Sequence, residues 1–234
     1  MLLLHEQQHM TILMVAPLQK EVDLLVHAWE FLGLRAVRVV IGRLPAVTFP
    51  DLHVSLACGG HGKAQFALQT QHLIERSHAL DMVICAGAAG GLAEGVAVGD
   101  IIVATSTIEH DFHCKFSGRP APRFDGSPEV IACLRQIKMP THRFCVHYGI
   151  VASGDEAIVT ADRATALREA TGAIAVAWEG AGGARASLFN ALPFLELRGV
   201  TDTANHAAPA DFHHNLRGVM TNLAAFIVSW RTQA

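Results

Sequence analysis

Residues 82–106 read MVICAGAAGGLAEGVAVGDIIVATS, and the two changes of character along this stretch decide the fold class. MVICA (82–86) is a short, continuous apolar run, the pattern of a strand buried on both faces. In CAGAAGGL (85–92), Gly87, Gly90 and Gly91 let the backbone approach a ligand closely and expose N–H groups to an anion or a sugar oxygen. DIIVATS (100–106) is again apolar and rich in β-branched residues. The glycines miss the GxGxxG spacing and AEGVAVGD (93–100) starts no clean helix, which argues against a dinucleotide-binding turn. Taken alone, the run reads either as a ligand contact or as a tight turn.

Outward from this stretch the same kind of short apolar run recurs. TILMVA (11–16), AVRVVI (36–41) and LHVSLA (52–57) precede it; VHYGIVA (146–152), AIAVAW (173–178) and FLELRGV (194–200) follow. Helical patterns lie between several of them, over 18–31, 63–79, 127–137, 160–170, 180–190 and 211–231. The last carries Leu216, Met220, Leu223, Ile227 and Trp230 at near-helical spacing. Strands alternating with helices imply an α/β fold with a largely parallel or mixed, twisted sheet flanked by helices. The helix at 180–190 opens on GAGGARA, an intrinsically poor helix former whose glycines suit close packing against the sheet or a neighbouring subunit. Residues 110–128, with prolines, glycines and mixed charge, read as a loop over a site. No linker or repeat divides the chain, so the expectation is one domain over 11–234, with 1–10 a disordered extension.

Composition narrows the partners. Of 234 residues, 51% are hydrophobic and 17% charged, enough apolar material for a large core. A formal net charge of -3 offers no basic field for nucleic acid and no polybasic membrane patch, which leaves small molecules. The five cysteines (Cys58, Cys85, Cys114, Cys133, Cys145) form no CxxC pair, no apolar run is long enough to span a membrane, and a reducing cytoplasm is the simplest location. Fourteen histidines invite a metal reading, but His110 and His113 lack a carboxylate-supported third ligand, and neither metal nor cofactor is expected.

Charged residues at the carboxyl ends of strands are the candidates for chemistry, because ligands of open α/β sheets bind there. Glu21 follows the first strand in VAPLQKEV (15–22), Glu179 follows a strand in AVAWEG (175–180), and Asp202 ends one in RGVTDTA (198–204). By pattern, Glu21 reads as a solvated helix charge. Glu179 reads as a desolvated ligand carboxylate or as a helix N-terminal charge. Asp202 reads as a turn cap or as an acid whose surroundings raise its pKa.

In order, VAPLQKEV (15–22), CGGHGKAQFAL (58–68), CAGAAGGLAEGVAVGDIIV (85–103), HD (110–111), GIVASGDEAIV (149–159), AIAVAWEG (173–180) and LRGVTDTAN (197–205) resemble the purine nucleoside phosphorylase/uridine phosphorylase superfamily. Within it they look closest to the 5′-methylthioadenosine/S-adenosylhomocysteine nucleosidases. The resemblance implies the three-layer phosphorylase-like fold, a homodimer, and hydrolytic cleavage of the N-glycosidic bond of a purine nucleoside. It assigns Glu21 to the attacking water, Glu179 to the ribose hydroxyls and Asp202 to protonation of purine N7. Ala88 falls where many relatives place a serine near the ribose, Gly90 lies in the same loop, Ile158 reads the adenine edge, and Arg198 and Thr201 stand near the base. Departure of the base through an oxocarbenium-like state needs these groups: an acid for N7, a base for water, and a carboxylate at the hydroxyls. An aspartate at 202 also suits a 6-amino group, which favours adenine. The first glycine stretches carry no arginine or hydroxyl for phosphate, which favours water over phosphorolysis.

Departures from the family fall on the sugar side. Trp178 stands for a methionine, Ala177 for a glutamate, His61 for an apolar residue, and Ala157 for an aromatic over the base. They leave open futalosine- or adenosylhopane-type substrates, and, as a different class, a nucleoside-binding protein with little catalysis.

Overall fold

The computed structural model describes residues 10–138 and 143–233. Among the described residues, ten strands form a mixed sheet: β1 (Ile12–Ala16), β2 (Val37–Ile41), β3 (Leu44–Phe49), β4 (Val54–Cys58), β5 (Met82–Gly91), β6 (Ile101–Glu109), β7 (Arg123–Asp125), β8 (Val146–Ser153), β9 (Ala173–Ala177) and β10 (Phe194–Asp202). Six α-helices among these residues accompany them: α1 (Gln19–Phe31), α2 (Lys63–Arg76), α3 (Pro128–Leu134), α4 (Ala161–Thr171), α5 (Gly180–Phe189) and α6 (Ala208–Gln233). The sheet is continuous, so the described residues form one domain of helices on both sides of a sheet. Of the expected extension, residues 1–9 lie outside the described residues; Met10 packs on the core, and its carbonyl accepts from Arg231 at 2.9 Å.

β1 explains the layering. Its side chains alternate, as strand geometry requires. Ile12, Met14 and Ala16 enter one core with Trp29 of α1 and Leu223, Ile227 and Trp230 of α6. Leu13 and Val15 enter another with Phe66 of α2 and Ala184 of α5. With both faces covered, the strand is apolar at every position, and the sequence shows a run instead of an alternation.

β5 is the axis of the molecule. Its first half pairs in parallel with β1 and along most of its length with β10, while Gly90 and Gly91 at its end pair antiparallel with β9. Through β10–β6, β6–β8 and β8–β9 the pairings return to β5, so five strands close a ring. This corrects the reading of 85–92 as a possible turn: the run is strand to Gly91. Glycine serves there because other side chains press on the backbone. A Cβ at Gly87 would stand 2.8 Å from Glu21 Oε1, and one at Gly90 would stand 2.8 Å from Asp202 Oδ1.

Two strands escaped the sequence. β3 carries Pro45, which weakens a strand reading, yet it forms a hairpin with β2 around Gly42 (φ +61°) and also pairs with β4. β7, only three residues long, lies inside the 110–128 stretch read as irregular and pairs with β6. The glycines of α5 do serve close packing, against α2: a Cβ at Gly182 would meet the Lys63 carbonyl oxygen at 2.4 Å.

Candidate active site

A cavity of about 290 Å³ opens where β1, β5, β9 and β10 end. All ten residues singled out from the sequence line it: Glu21, His61, Ala88, Gly90, Ile158, Trp178, Glu179, Arg198, Thr201 and Asp202.

Glu21 is not a solvated helix charge; it is 2% exposed. α1 begins directly after β1, so its first turn faces the cavity. As the third residue of the helix, Glu21 reaches back to accept from the Leu18 N–H at 2.9 Å, a capping interaction, while Oε1 accepts from the Ala88 N–H at 2.8 Å. Burial pushes its pKa up to about 7, against the opposing pull of these N–H groups and of Arg198. A carboxylate poised near neutrality is suited to accept a proton from water.

Glu179 occupies the N-cap of α5, yet its side chain makes no capping bond. It turns instead to the cavity. Oε1 accepts from the Gly62 N–H at 3.2 Å, at the start of α2, and Oε2 stands 3.8 Å from Arg198 Nη2. Burial raises its pKa, and Arg198, Gly62 and His61 oppose that rise. Ser153, the serine of the SGD run, pins the backbone on either side: its hydroxyl donates to the Trp178 carbonyl at 2.7 Å and accepts from the Ala181 N–H at 2.9 Å.

Asp202 closes β10 opposite Gly90. Oδ2 accepts from the Thr201 hydroxyl at 2.9 Å and Oδ1 from the Ala204 N–H at 2.9 Å. Ala204 holds a left-handed backbone (φ 51°), a costly conformation for a residue with a Cβ, kept at the point where it fixes the carboxylate. Burial raises the Asp202 pKa. A raised pKa moves this carboxyl toward the range in which it can act as a proton donor to a heterocycle nitrogen.

Arg198 is the sole lysine or arginine among the described residues lining the cavity, and its charge is engaged. Nε donates to Glu196 at 2.8 Å, Nη1 to the Ala88 carbonyl at 3.2 Å, and Nη2 to Cys85 Sγ at 3.2 Å. Glu196, fully buried, also accepts from Thr107. The arginine therefore braces the glycine strand against the Glu179 side of the cavity.

Several residues were missed. Phe212, from the first turns of α6, lines the cavity with Pro209 and gives it an aromatic wall although position 157 is alanine. The HD and SGD runs form a lattice behind the site: Lys63 Nζ donates to Glu109 and Asp111, the Lys63 N–H to Asp155 at 2.8 Å, and the Asp155 N–H to Asp111 at 2.8 Å. Their signal in the sequence was the HD, SGD and HGK pieces that carry the family resemblance.

Known proteins share this fold. The profile of the phosphorylase superfamily matches residues 11–229. The 5′-methylthioadenosine/S-adenosylhomocysteine nucleosidase of Thermotoga maritima is 31% identical over 216 residues, covering 89% of this chain and 90% of that protein. The corresponding nucleosidase of Neisseria meningitidis, solved with methylthio-immucillin-A, is 26% identical and superposes with a TM-score of 0.82 over 95% of this chain and 98% of that one. The futalosine hydrolase of Helicobacter pylori, 22% identical with a TM-score of 0.83 over 98% of this chain and 100% of that one, shares the fold. A profile match across nearly the whole length, on a sheet whose strand ends gather the expected carboxylates, establishes that this chain belongs to the phosphorylase superfamily.

Proposed function

We propose that this protein hydrolyses the N-glycosidic bond of a 5′-substituted adenosine, of the kind named for its nucleosidase relatives: methylthioadenosine or S-adenosylhomocysteine. The observation that carries the reading is the convergence of three buried carboxylates, each held by backbone or side-chain donors, on one cavity. Glu21 orients water and takes its proton. Glu179 accepts from the ribose hydroxyls and favours the positive charge that develops on the sugar. Asp202 protonates N7 as the base leaves, and its unprotonated form accepts from a 6-amino group. Thr201 and the Ala204 N–H hold Asp202, Gly90 makes room for it, Ile158 and Phe212 enclose the base, and Ala88 presents the N–H that anchors Glu21.

Water as the nucleophile is supported by the charge around the cavity. A phosphate dianion needs charge-assisted donors, and Arg198 is already committed to Glu196 and faces Glu179. The free thiols of Cys58, Cys85, Cys114, Cys133 and Cys145 suit a reducing cytoplasm, and no helix among the described residues is long and apolar enough to cross a membrane. Exposed Leu68 on α2, Leu188 and Phe189 on α5, and Phe116 in the loop before β7 suit a homodimer that covers them.

The test is incubation with 5′-substituted adenosines and inosines, with and without phosphate, followed by chromatography of the free base. Adenine release without phosphate is expected; release that requires phosphate and yields ribose 1-phosphate would establish a phosphorylase instead.

A further inference from the structure

Glu179 has a third neighbour on its solvent side. His61 sits between Gly60 (φ +84°) and Gly62 (φ +82°), backbone conformations that glycine adopts without strain and that fix the direction in which the loop presents its one side chain. The imidazole lies against Trp178, ring centroids 4.4 Å apart and planes tilted by 36°. Its Nδ1 is 3.6 Å from Glu179 Oε1, close but beyond hydrogen-bond length, and that oxygen accepts from the Gly62 N–H at 3.2 Å. The carboxylate is thus held at Oε2 by Arg198 from within and at Oε1 by the 61–62 loop from without. The His61 side chain is 58% exposed and that of Glu179 5%, so the imidazole stands at the mouth and the carboxylate behind it.

We infer that His61 is a positioning residue for sugar recognition: steadied by Trp178, it keeps Glu179 Oε1 turned to accept the ribose hydroxyls. This rests on the nucleoside reading above. A glutamate ordered before the ligand arrives loses less side-chain freedom on binding, and that gain reaches only ligands whose hydroxyls use it. For a neighbour as exposed as His61 the gain is modest, about fivefold in affinity.

Two substitutions separate the polar nitrogen from the ring. His61→Phe keeps an aromatic face for Trp178 and removes the polar nitrogen beside Glu179; His61→Asn keeps a polar group near the Nδ1 position and removes the ring. Affinities of the wild type and both variants for adenosine and for 2′,3′-dideoxyadenosine are to be measured by calorimetric titration with Asp202→Asn added to each so that the ligand is not cleaved, and base release is measured without it. The expected result is adenosine binding weakened about fivefold by His61→Phe and restored by His61→Asn, with dideoxyadenosine affinity unchanged in both. Equal weakening of both ligands by His61→Phe, no weakening of either, or no restoration by His61→Asn would overturn the inference. A wild type that binds neither ligand would overturn the nucleoside reading and the inference with it. Base release that proceeds normally in all three proteins, with affinities independent of His61, would remove the inference alone.

Discussion

Among single residues, Asp202 and Glu21 are expected to matter most for turnover. Asp202→Asn keeps the size of the side chain but removes the proton for N7, and kcat should fall by ~10²–10⁴-fold with folding intact, checked by steady-state kinetics beside circular dichroism. Glu21 gives a pH signature. As a base it must be ionised, so kcat/KM should rise with pH through about 7, the value to which burial pushes it. Its effect on stability has the opposite sense. A carboxylate whose pKa is raised in the folded state favours folding below its unfolded value and loses that contribution as pH rises through the folded one. Between 4.5 and about 7, ionisation of Glu21 therefore erodes stability. Glu21→Gln, which cannot ionise, should be inactive, and although its NH2 must face one of the two N–H groups that the carboxylate accepts from, its stability relative to the wild type should rise between pH 5 and pH 8. Thermal melts at the two pH values check this. Glu21 is also the residue least legible from local pattern. Its helix looked amphipathic and solvated there, because sequence periodicity does not reveal that the first turn of α1 faces a crevice made by β5. It became readable only through the order of neighbouring motifs.

The elements were easier to read than their ends. Both-face burial gives β1 and the first half of β5 continuous apolar runs, and these were visible. The second half of β5 was not, since its glycines answer to Glu21 and Asp202, residues far away in sequence. β3 was hidden by Pro45, and β7 by its brevity inside a loop. The tight α5–α2 contact gives a direct prediction. Gly182→Ala would place a Cβ 2.4 Å from the Lys63 carbonyl oxygen, a backbone atom that cannot swing aside. Overpacking of this kind is expected to cost about 1–3 kcal/mol, read as a lowered urea midpoint. Ser153→Ala should act at the same junction. It removes the hydroxyl that pins Trp178 and Ala181, costs about 1–3 kcal/mol for the groups left unpaired, and raises KM more than it lowers kcat.

At the scale of the whole molecule, the sheet was legible as α/β from the alternation of runs, whereas its closure into a ring through β5, β10, β6, β8 and β9 depends on long-range register that no local pattern carries. The exposed apolar side chains of α2 and α5 belong to this scale too. A chain of 25.1 kDa is expected to elute as a particle of about 50 kDa in light-scattering chromatography, twice the chain mass for two copies. A double substitution of Leu188 and Phe189 by aspartate should halve that mass. The central proposed chemistry is glycosidic cleavage by the three carboxylates. The most direct test is release of free adenine from methylthioadenosine and S-adenosylhomocysteine in phosphate-free buffer by the wild type and by Asp202→Asn. Rapid release by the wild type and loss of nearly all of it in the variant is the predicted result; no purine released from any nucleoside, or equal release by both proteins, would contradict it.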